Sequence, residues 1–280
     1  MKPSQEPTEY IYNSTLKLAL RSLELDWQWI RIDGLEGKWM FLWKKYLFIL
    51  CAPLFWDKTL HSYRIHVWNR TIYMDSRNNI GIIQSTFIYN SYLRHFLPKN
   101  PLVVDIGAHT GEFALFSDIL LKARRVLSFE PVTASYKLLS RNKQTDVYHT
   151  AIGLTSKKTM YIPTETAMAS GIHQQGTVIQ EETPCIPLDA VLEIKNLPTI
   201  DLLKVDVEGM EYEVLQASSE SIKKSRYILT ELSIERSATN GALETLEYVL
   251  SIAPSLKLIH IGQIFGNYTW TDSVDILLKT

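Results

Sequence analysis

The chain has 280 residues, 46% hydrophobic and 21% charged, a composition that excludes an intrinsically disordered protein and allows one large domain with an appendage. Its 29 lysines and arginines are balanced by 30 acidic residues, and a formal net charge of −1 gives no sign of a nucleic-acid partner. Cys51 and Cys185 have no spacing that fits a disulfide framework or a zinc site, so we expect a reducing, cytoplasmic environment and no metal site.

Aromatic and basic residues are concentrated in one stretch of the N-terminal third. Four of the seven tryptophans lie between residues 38 and 70, together with six lysines or arginines against the single acid Asp57. The longest apolar run, residues 46–56, is far shorter than the roughly 20 residues that a membrane-spanning helix needs. We expect residues 39–56 to form a helix that packs on the rest of the protein. The alternative is peripheral membrane contact, with the aromatic rings in the interface and the lysines toward the headgroups.

The other predicted elements of this region are a helix over residues 14–31, a hairpin with arms at 64–68 and 71–74, and a helix over 86–97 that ends before Pro98. The pattern of the chain changes near residue 100. We therefore divide the chain into an N-terminal extension, residues 1–100, and a second domain, residues 101–280.

After residue 100, short apolar runs alternate with helical patterns, which is typical of a parallel sheet wrapped by helices. The predicted strands lie at residues 102–105, 125–129, 147–152, 159–163, 184–187, 200–205, 227–232, 256–261 and 274–278. The predicted helices lie at residues 112–121, 133–143, 189–194, 211–216 and 242–251, and Asp189 is expected to cap the third of them. We predict an α/β fold: a doubly wound, Rossmann-like, mostly parallel seven-stranded sheet with helices on both faces and an antiparallel C-terminal hairpin.

The turn after the first of these strands, Asp105 to Gly111, has the pattern Asp-x-Gly-x-x-x-Gly. In a doubly wound sheet the ligand binds beyond the carboxyl ends of the strands, and glycine lets the backbone approach it closely. Glu130 follows the second strand, where a carboxylate can accept both hydroxyls of a ribose. The dinucleotide pattern, Gly-x-Gly-x-x-Gly, has glycine in place of Asp105, and an acid there would repel a pyrophosphate but could hold an ammonium group. We therefore predict S-adenosylmethionine as cofactor, and an NAD(P)-dependent oxidoreductase remains the alternative.

From about Val103 to the C-terminus the sequence resembles the FkbM-type methyltransferases. The strongest part of the resemblance is the fourth core strand with the segment after it, residues 200–216, IDLLKVDVEGMEYEVLQ. Three shorter motifs occur in the family's order and spacing: residues 129–131, 151–153 and 187–189. Two positions depart from the family, since His109 stands where asparagine is more usual and Ala217 where glycine is common. The resemblance implies S-adenosylmethionine as methyl donor and a hydroxyl acceptor, often on a sugar, a polyketide or another secondary metabolite.

Residues at the strand ends and in these motifs are the candidates for cofactor binding. They are Asp105, Gly107, Ala108, His109, Gly111, Phe129, Glu130, Ala151 and Asp206. For catalysis we predict Asp206, which could position or deprotonate the acceptor hydroxyl, with Glu231 facing the same pocket. His173 is a third candidate, on a polar loop over residues 164–182 that could close over the acceptor as a lid. Each has a structural alternative: a helix N-cap for Asp206, a hydrogen-bonding role for Glu231 and a solvated loop position for His173.

The predicted function is therefore an S-adenosylmethionine-dependent O-methyltransferase that acts on a hydroxyl of a sugar, glycan or secondary metabolite. Besides the oxidoreductase, a non-catalytic scaffold that keeps the methyltransferase fold is a second alternative. The sequence does not name the acceptor or the oligomeric state.

Overall fold

The computed structural model describes residues 20–59, 61–142, 145–163, 178–207, 209–233, 241–267 and 270–280. The described part of the chain before residue 100 contains helices and a small antiparallel sheet. These elements are α1 (residues 20–30), α2 (Lys38–Cys51), β1 (Trp56–Asp57), β2 (Ser62–Val67), β3 (Arg70–Met74) and α3 (Asn79–Asn90), with 3₁₀ turns at Ala52–Phe55 and Ser91–His95.

The rest of the chain alternates strands and helices, as predicted. The strands are β4 (Leu102–Ile106), β5 (Arg125–Phe129), β6 (Asp146–Tyr148), β7 (Ala151–Ile152), β8 (Lys157–Pro163), β9 (Val178–Ile186), β10 (Ile200–Val205), β11 (Ser225–Ser233), β12 (Lys257–Asn267) and β13 (Trp270–Lys279). The helices are α4 (Glu112–Ile119), α5 (Thr133–Leu139), α6 (Leu192–Lys195), α7 (Glu211–Gln216), α8 (Ser219–Lys223) and α9 (Ala242–Ile252), with a 3₁₀ turn at Leu188–Ala190.

Seven of the strands form the central sheet, in the order β12-β13-β11-β10-β4-β5-β6. The strands from β11 to β6 run parallel, and β13 is antiparallel to both of its neighbours. The chain continues from β4 to β5 on one side and later returns to β10 on the other side, so the strand order reverses at β4. The carboxyl ends of β4 and β10 are therefore the expected place for a ligand. The predicted doubly wound fold with its antiparallel hairpin is confirmed.

Successive side chains of the central strands point to opposite faces of the sheet and enter two hydrophobic cores. Val103 and Leu202 lie in the first core, with side chains from α1 to α4, β2 and β3. Val104 and Leu203 lie in the second core, with side chains from α6 to α9. The residues before residue 100 therefore share a core with one face of the central sheet. Among the described residues, no helix is both long and apolar enough to cross a bilayer.

The prediction of one continuous strand at residues 147–152 is wrong, because the chain leaves the central sheet after Tyr148. β6 remains in that sheet, whereas β7 pairs with β9 in a separate sheet of three strands. Between them, the buried Thr150 donates its hydroxyl to the carbonyl oxygens of Ala151 (3.1 Å) and Pro184 (2.9 Å). The bond to Pro184 connects the chain to β9 at the point where the chain leaves β6.

The strands β8 and β9 pair with each other, and both are longer than the short strands predicted at residues 159–163 and 184–187. Residues 178–182, which the sequence analysis assigned to a polar loop, belong to β9 and pair with β8. The remainder of that predicted loop, residues 164–177 with His173, lies outside the described residues.

Two predicted helices also differ from the structure. The helix predicted at residues 86–97 begins already at Asn79 and ends in a 3₁₀ turn at Ser91–His95. Its first turn was missed because it contains residues of low helix propensity, among them Gly81. Asp189 caps a helix, but not the one that follows it. Its carboxylate accepts hydrogen bonds from the backbone N–H groups of Glu220 and Ser221, each at 2.8 Å, at the start of α8.

Candidate active site

The glycine turn after β4 is packed between the ends of two neighbouring strands. The backbone N–H groups of Gly107 and Ala108 both donate to the carbonyl oxygen of Phe129 at 3.1 Å, at the end of β5. Gly107 has a φ of 80°, and a Cβ atom there would lie 1.7 Å from the carbonyl oxygen of Asp206, after β10. Both the backbone conformation and the available space therefore require glycine at this position.

A cavity of about 380 Å³ opens beside this turn, at the carboxyl ends of β4, β5, β10 and β11. This volume is within the usual range of small-molecule sites. The predicted site residues that line it are Gly107, Ala108, His109, Phe129, Glu130, Ala151, Asp206 and Glu231. The structure thus brings most of the predicted site together.

Two predicted cofactor residues, Asp105 and Gly111, do not line this cavity. Gly111 is the N-cap residue of α4 and has a φ of 105°. A Cβ atom there would lie 2.8 Å from a methyl carbon of Leu139. Its place in the turn is therefore structural. Asp105 is completely buried beneath the cavity wall.

Glu130 is buried at the cavity wall and is held by backbone donors. Its Oε2 accepts the N–H of His109 and its Oε1 accepts the N–H of Val132, each at 2.8 Å. Burial raises the pKa of this carboxyl to about 7, although these N–H groups and the charge of His109 act in the opposite direction. Each oxygen has a second lone pair for a further donor, such as a ribose hydroxyl.

The raised pKa of Glu130 predicts pH-dependent cofactor affinity. At pH 6 a carboxyl with a pKa of about 7 is mostly protonated, and at pH 8 it is mostly ionised. Because an ionised carboxylate is the stronger acceptor, we expect S-adenosylhomocysteine to bind about tenfold more weakly at pH 6 than at pH 8, measured by calorimetry. A Glu130→Gln variant should bind weakly at both values. Equal wild-type affinities at pH 6 and pH 8 would contradict the prediction that Glu130 binds the ribose.

His109 has a left-handed backbone conformation, with a φ of 50°, and its ring is held between two acids. Nδ1 lies 3.2 Å from Oε1 of Glu112, and Nε2 lies 3.4 Å from Oδ2 of Asp75. Burial by itself would lower the pKa of His109, but the charges and hydrogen bonds of Glu112 and Asp75 outweigh burial and raise the pKa well above its usual 6.5. His109 therefore places a positive charge on the cavity wall at neutral pH.

The N-terminal segment supports this turn directly. Asp75 lies between β3 and α3, and the fully buried Asn79 at the start of α3 donates to Oγ1 of Thr110 (3.2 Å) and to Oε1 of Glu112 (3.0 Å). Asn142 donates to the carbonyl oxygen of Thr110 at 2.7 Å and accepts a backbone N–H from β3. The sequence analysis missed these residues, because isolated polar side chains in loops and at helix ends form no periodic pattern.

Lys204 is a further residue that was not assigned to the site from the sequence. It lies in register beside Asp105 in the neighbouring strand, and its Nζ is 3.2 Å from both Oδ1 of Asp105 and Oδ2 of Asp206. Burial by itself would lower the pKa of Lys204, but the two carboxylates outweigh it and raise the pKa above its usual 10.5. Burial also raises the pKa of the Asp105 carboxyl, which Lys204 counteracts. The sequence signal was a lysine inside the apolar strand Ile200–Val205.

Asp206 and Glu231 lie at the carboxyl ends of the adjacent strands β10 and β11, on the wall of the cavity. The backbone N–H of Asp206 donates to the carbonyl oxygen of Ile106 at 3.1 Å, which joins the ends of β10 and β4. The turn before α7 is held by Glu211, which accepts the N–H of Gly209 at 2.8 Å, and none of the described side chains caps α7. These contacts disfavour the alternative of an N-cap role for Asp206.

Comparison with protein families matches residues 105–253, just over half of the chain, to the Methyltransferase FkbM domain. Methyltransferase sdnD of Sordaria araneosa is 28% identical over 185 residues, which cover 50% of this chain and 71% of that protein. Methyltransferase 1 of Beauveria bassiana is 25% identical over 162 residues, covering 48% and 65% of the two chains. Hexuronic acid methyltransferase AglP of Haloferax volcanii is 27% identical over 139 residues, covering 48% and 56%. The matches to the last two proteins thus span less than two thirds of their length.

Among solved structures, TYW2 of M. jannaschii in complex with AdoMet is similar over 78% of this chain and 86% of that chain, with 14% identity and a TM-score of 0.42. Trm5b of Pyrococcus abyssi is similar over 80% and 57% of the two chains, with 10% identity and a TM-score of 0.46.

Proposed function

Because this chain belongs to the FkbM methyltransferase family, we propose that it transfers a methyl group to a hydroxyl of a sugar, a glycan or a secondary metabolite. S-Adenosylmethionine is the cofactor, and when bound it supplies an electrophilic methyl group on a sulfonium. The single observation that carries the proposal is the shared cavity: the glycine turn, the ribose-type carboxylate Glu130 and the acids Asp206 and Glu231 all line it.

The residues present fit this cofactor. A glycine at position 107 lets the end of β10 pack against the turn on the cavity wall, where a Cβ atom would collide with Asp206, and Glu130 offers a buried carboxylate for two hydroxyls. His109 is already paired with Glu112 and Asp75, so its ring helps to hold the turn in place at the cavity wall. We propose that Asp105 acts on the site through Lys204, which it holds at the cavity wall by a 3.2 Å ion pair.

In this proposal Asp206 positions the acceptor hydroxyl and accepts its proton. Its side chain is 38% exposed toward the cavity mouth, so an acceptor can reach it, while Lys204 fixes one carboxylate oxygen. Glu231 on the next strand contributes a second carboxylate that orients the acceptor. Most of the acceleration would come from aligning the acceptor oxygen with the methyl group, and the base would add to it.

An Asp206→Asn variant is expected to keep cofactor affinity within about twofold and to lose about a hundredfold in turnover, which is typical of removing a general base. The measurement combines calorimetry with S-adenosylhomocysteine and transfer of a labelled methyl group to a panel of sugars, glycosides and phenolic or polyketide alcohols. Asp146→Asn, at an exposed carboxylate on β6, is the matched control and should leave both quantities unchanged.

The same experiment decides between the proposal and its alternatives. Tight binding of S-adenosylhomocysteine without labelled product from any acceptor would favour the scaffold. Binding of NAD in preference to S-adenosylhomocysteine would favour the oxidoreductase. Wild-type turnover by the Asp206→Asn variant would remove the base assignment.

We further propose that an exposed stripe on α2 contacts an anionic membrane surface. The stripe consists of Trp39, Trp43, Tyr46 and Leu50, whose spacing places them on one helix face, and Leu50 is 80% exposed. The opposite face of α2 is buried in the first core. Of the six basic residues between residues 38 and 70, Lys45 is buried and paired with Asp26, and the other five favour an anionic lipid surface as the partner of this stripe.

Flotation with vesicles tests this contact on the full chain. We expect binding to phosphatidylserine-containing vesicles, little binding to pure phosphatidylcholine, and a several-fold loss of binding in a Trp39→Ser/Trp43→Ser variant. Leu243→Ser, at a 69% exposed position on α9, is the control and should bind as the wild type does. Failure of the wild-type chain to float with anionic vesicles, or self-association that depends on the two tryptophans, would contradict the membrane proposal.

A further inference from the structure

A second, smaller cavity of about 150 Å³ adjoins the cofactor cavity. The residues that line both cavities are Thr86, Asn90, Lys204, Asp206 and Glu231. The two cavities therefore meet at the carboxylates proposed to act in catalysis. A molecule held in the second cavity would have its reacting group beside the bound cofactor, and we name this cavity the acceptor subsite.

One wall of the acceptor subsite is the polar face of α3. Four side chains on that face, from two successive turns of the helix, line the subsite: Ser85, Thr86, Tyr89 and Asn90. The other face of the same helix carries Ile80, Ile83 and Phe87, which are buried in the first core. The buried side chains thus fix the rotation of α3. On the face toward the subsite, the Ser85 hydroxyl donates to the carbonyl oxygens of Gly81 and Ile82 and the Asn90 amide donates to that of Thr86, so the oxygens of these two side chains remain as acceptors.

The opposite wall is formed by strand ends and is acidic. Asp206 follows β10, and Glu231 of β11 pairs in register with Asp275 of β13. Burial and the charge of Asp206 raise the pKa of Asp275 to about 6, with Lys204 acting in the opposite direction. Asp275 is therefore largely ionised above neutral pH.

The charges of the acceptor subsite do not balance. Among the described residues that line it, Lys204 is the one cation, whereas Asp206 and Asp275 each add a carboxylate. Its ammonium already lies 3.2 Å from Asp105 and from Asp206, so it is shared with an acid behind the wall. An anionic group that enters this partly buried cavity meets repulsion which solvent screens only weakly.

We infer that the acceptor subsite takes an uncharged, hydroxyl-rich group, such as a neutral sugar ring or polyol, and rejects a carboxylate or phosphate next to the reacting hydroxyl. The inference rests on the proposed function, because it assigns the second cavity to the methyl acceptor. The carboxylates accept hydrogen bonds from hydroxyls, and the side-chain oxygens of Ser85 and Asn90 on the facing wall can accept further ones. Asp275, which the sequence analysis did not single out, is a specificity-determining residue.

The test uses cofactor analogues in which nitrogen replaces sulfur and carries an arm where the methyl group would be. Three arms of equal carbon number are compared: 2,3-dihydroxypropyl, 2-carboxyethyl and propyl. Calorimetry on the full chain at pH 8 should show the dihydroxypropyl analogue binding about tenfold more tightly than the carboxyethyl analogue, and more tightly than the propyl analogue. Asp275→Asn should reduce the discrimination against the carboxyethyl arm about threefold, and Asp146→Asn should leave it unchanged.

Each outcome decides the matter. Equal or tighter binding of the carboxyethyl analogue overturns the inference, as does equal binding of all three analogues, since the arm would then not sense the subsite. S-Adenosylhomocysteine is titrated alongside: if it binds while the preference is missing, the inference alone fails. If it does not bind, the proposed function fails and the inference fails with it.

Discussion

Replacement of Gly107 by alanine is expected to abolish detectable cofactor binding and to lower the free energy of unfolding by more than about 3 kcal/mol. Two costs combine. The φ of 80° places an alanine in the left-handed region, and its Cβ would lie 1.7 Å from the carbonyl oxygen of Asp206. The colliding atom belongs to the backbone at the end of β10, so relief requires the ends of β4 and β10 to separate. That movement would also displace Asp206 from the cavity wall.

A matched control for this substitution is Gly81→Ala in α3. A Cβ atom at Gly81 meets no atom within 4 Å, and the residue lies within a helix, where alanine is favoured over glycine by roughly 0.5–1 kcal/mol. The control should therefore be slightly more stable than the wild type and bind S-adenosylhomocysteine normally. Thermal unfolding and calorimetry measure both effects. Normal binding by Gly107→Ala would show that the cofactor cavity does not depend on the close packing of the β4 turn against the end of β10.

The central strands were predictable because their burial is continuous. The predicted ranges of β5 and β10 coincide with the observed Arg125–Phe129 and Ile200–Val205, and the residues of both strands are almost all buried. Short, mostly apolar runs of this kind are typical of parallel strands covered on both faces. The run at residues 147–152 is equally apolar, yet it divides between two sheets after Tyr148. Its division depends on hydrogen bonds to β9, more than thirty residues later, which no local pattern reports.

The candidate site was predictable where it lies at strand ends and not where it depends on pairing across the chain. Asp206 and Glu130 follow recognisable strands, so topology alone directs them to one edge of the sheet. The pairing of His109 with Asp75 depends on how the N-terminal segment folds over the turn. The position of Asp275 opposite Glu231 depends on the register of the C-terminal hairpin. Periodicity predicts which face a residue occupies, but not its partner on a distant element.

Replacement of Lys204 by methionine is expected to lower the free energy of unfolding by about 3–5 kcal/mol at pH 8, because it leaves the fully buried Asp105 without its counter-ion. Lys223→Met, which removes the same charge from an exposed pair with Glu220, is the control and should change stability little. The double variant Lys204→Met/Asp105→Asn should recover most of the loss. Urea unfolding of Lys204→Met, Asp105→Asn and the double variant should then give a coupling free energy of about 2–3 kcal/mol between the two substitutions.

The pH dependence of this variant follows from Asp105. Burial already raises the pKa of its carboxyl, and removal of Lys204 removes the charge that counteracts this rise. A carboxyl whose pKa is higher in the folded than in the unfolded protein stabilises the folded state fully below its unfolded pKa, and that contribution is lost as pH rises through its folded pKa. The difference in free energy of unfolding between Lys204→Met and the wild type should therefore become smaller from pH 8 to pH 5. The corresponding difference between the double variant and the wild type should not change with pH. A gap of constant size in the single variant would mean that Lys204 contributes through packing on Phe113, with its ammonium 5.2 Å from that ring, and not through its charge.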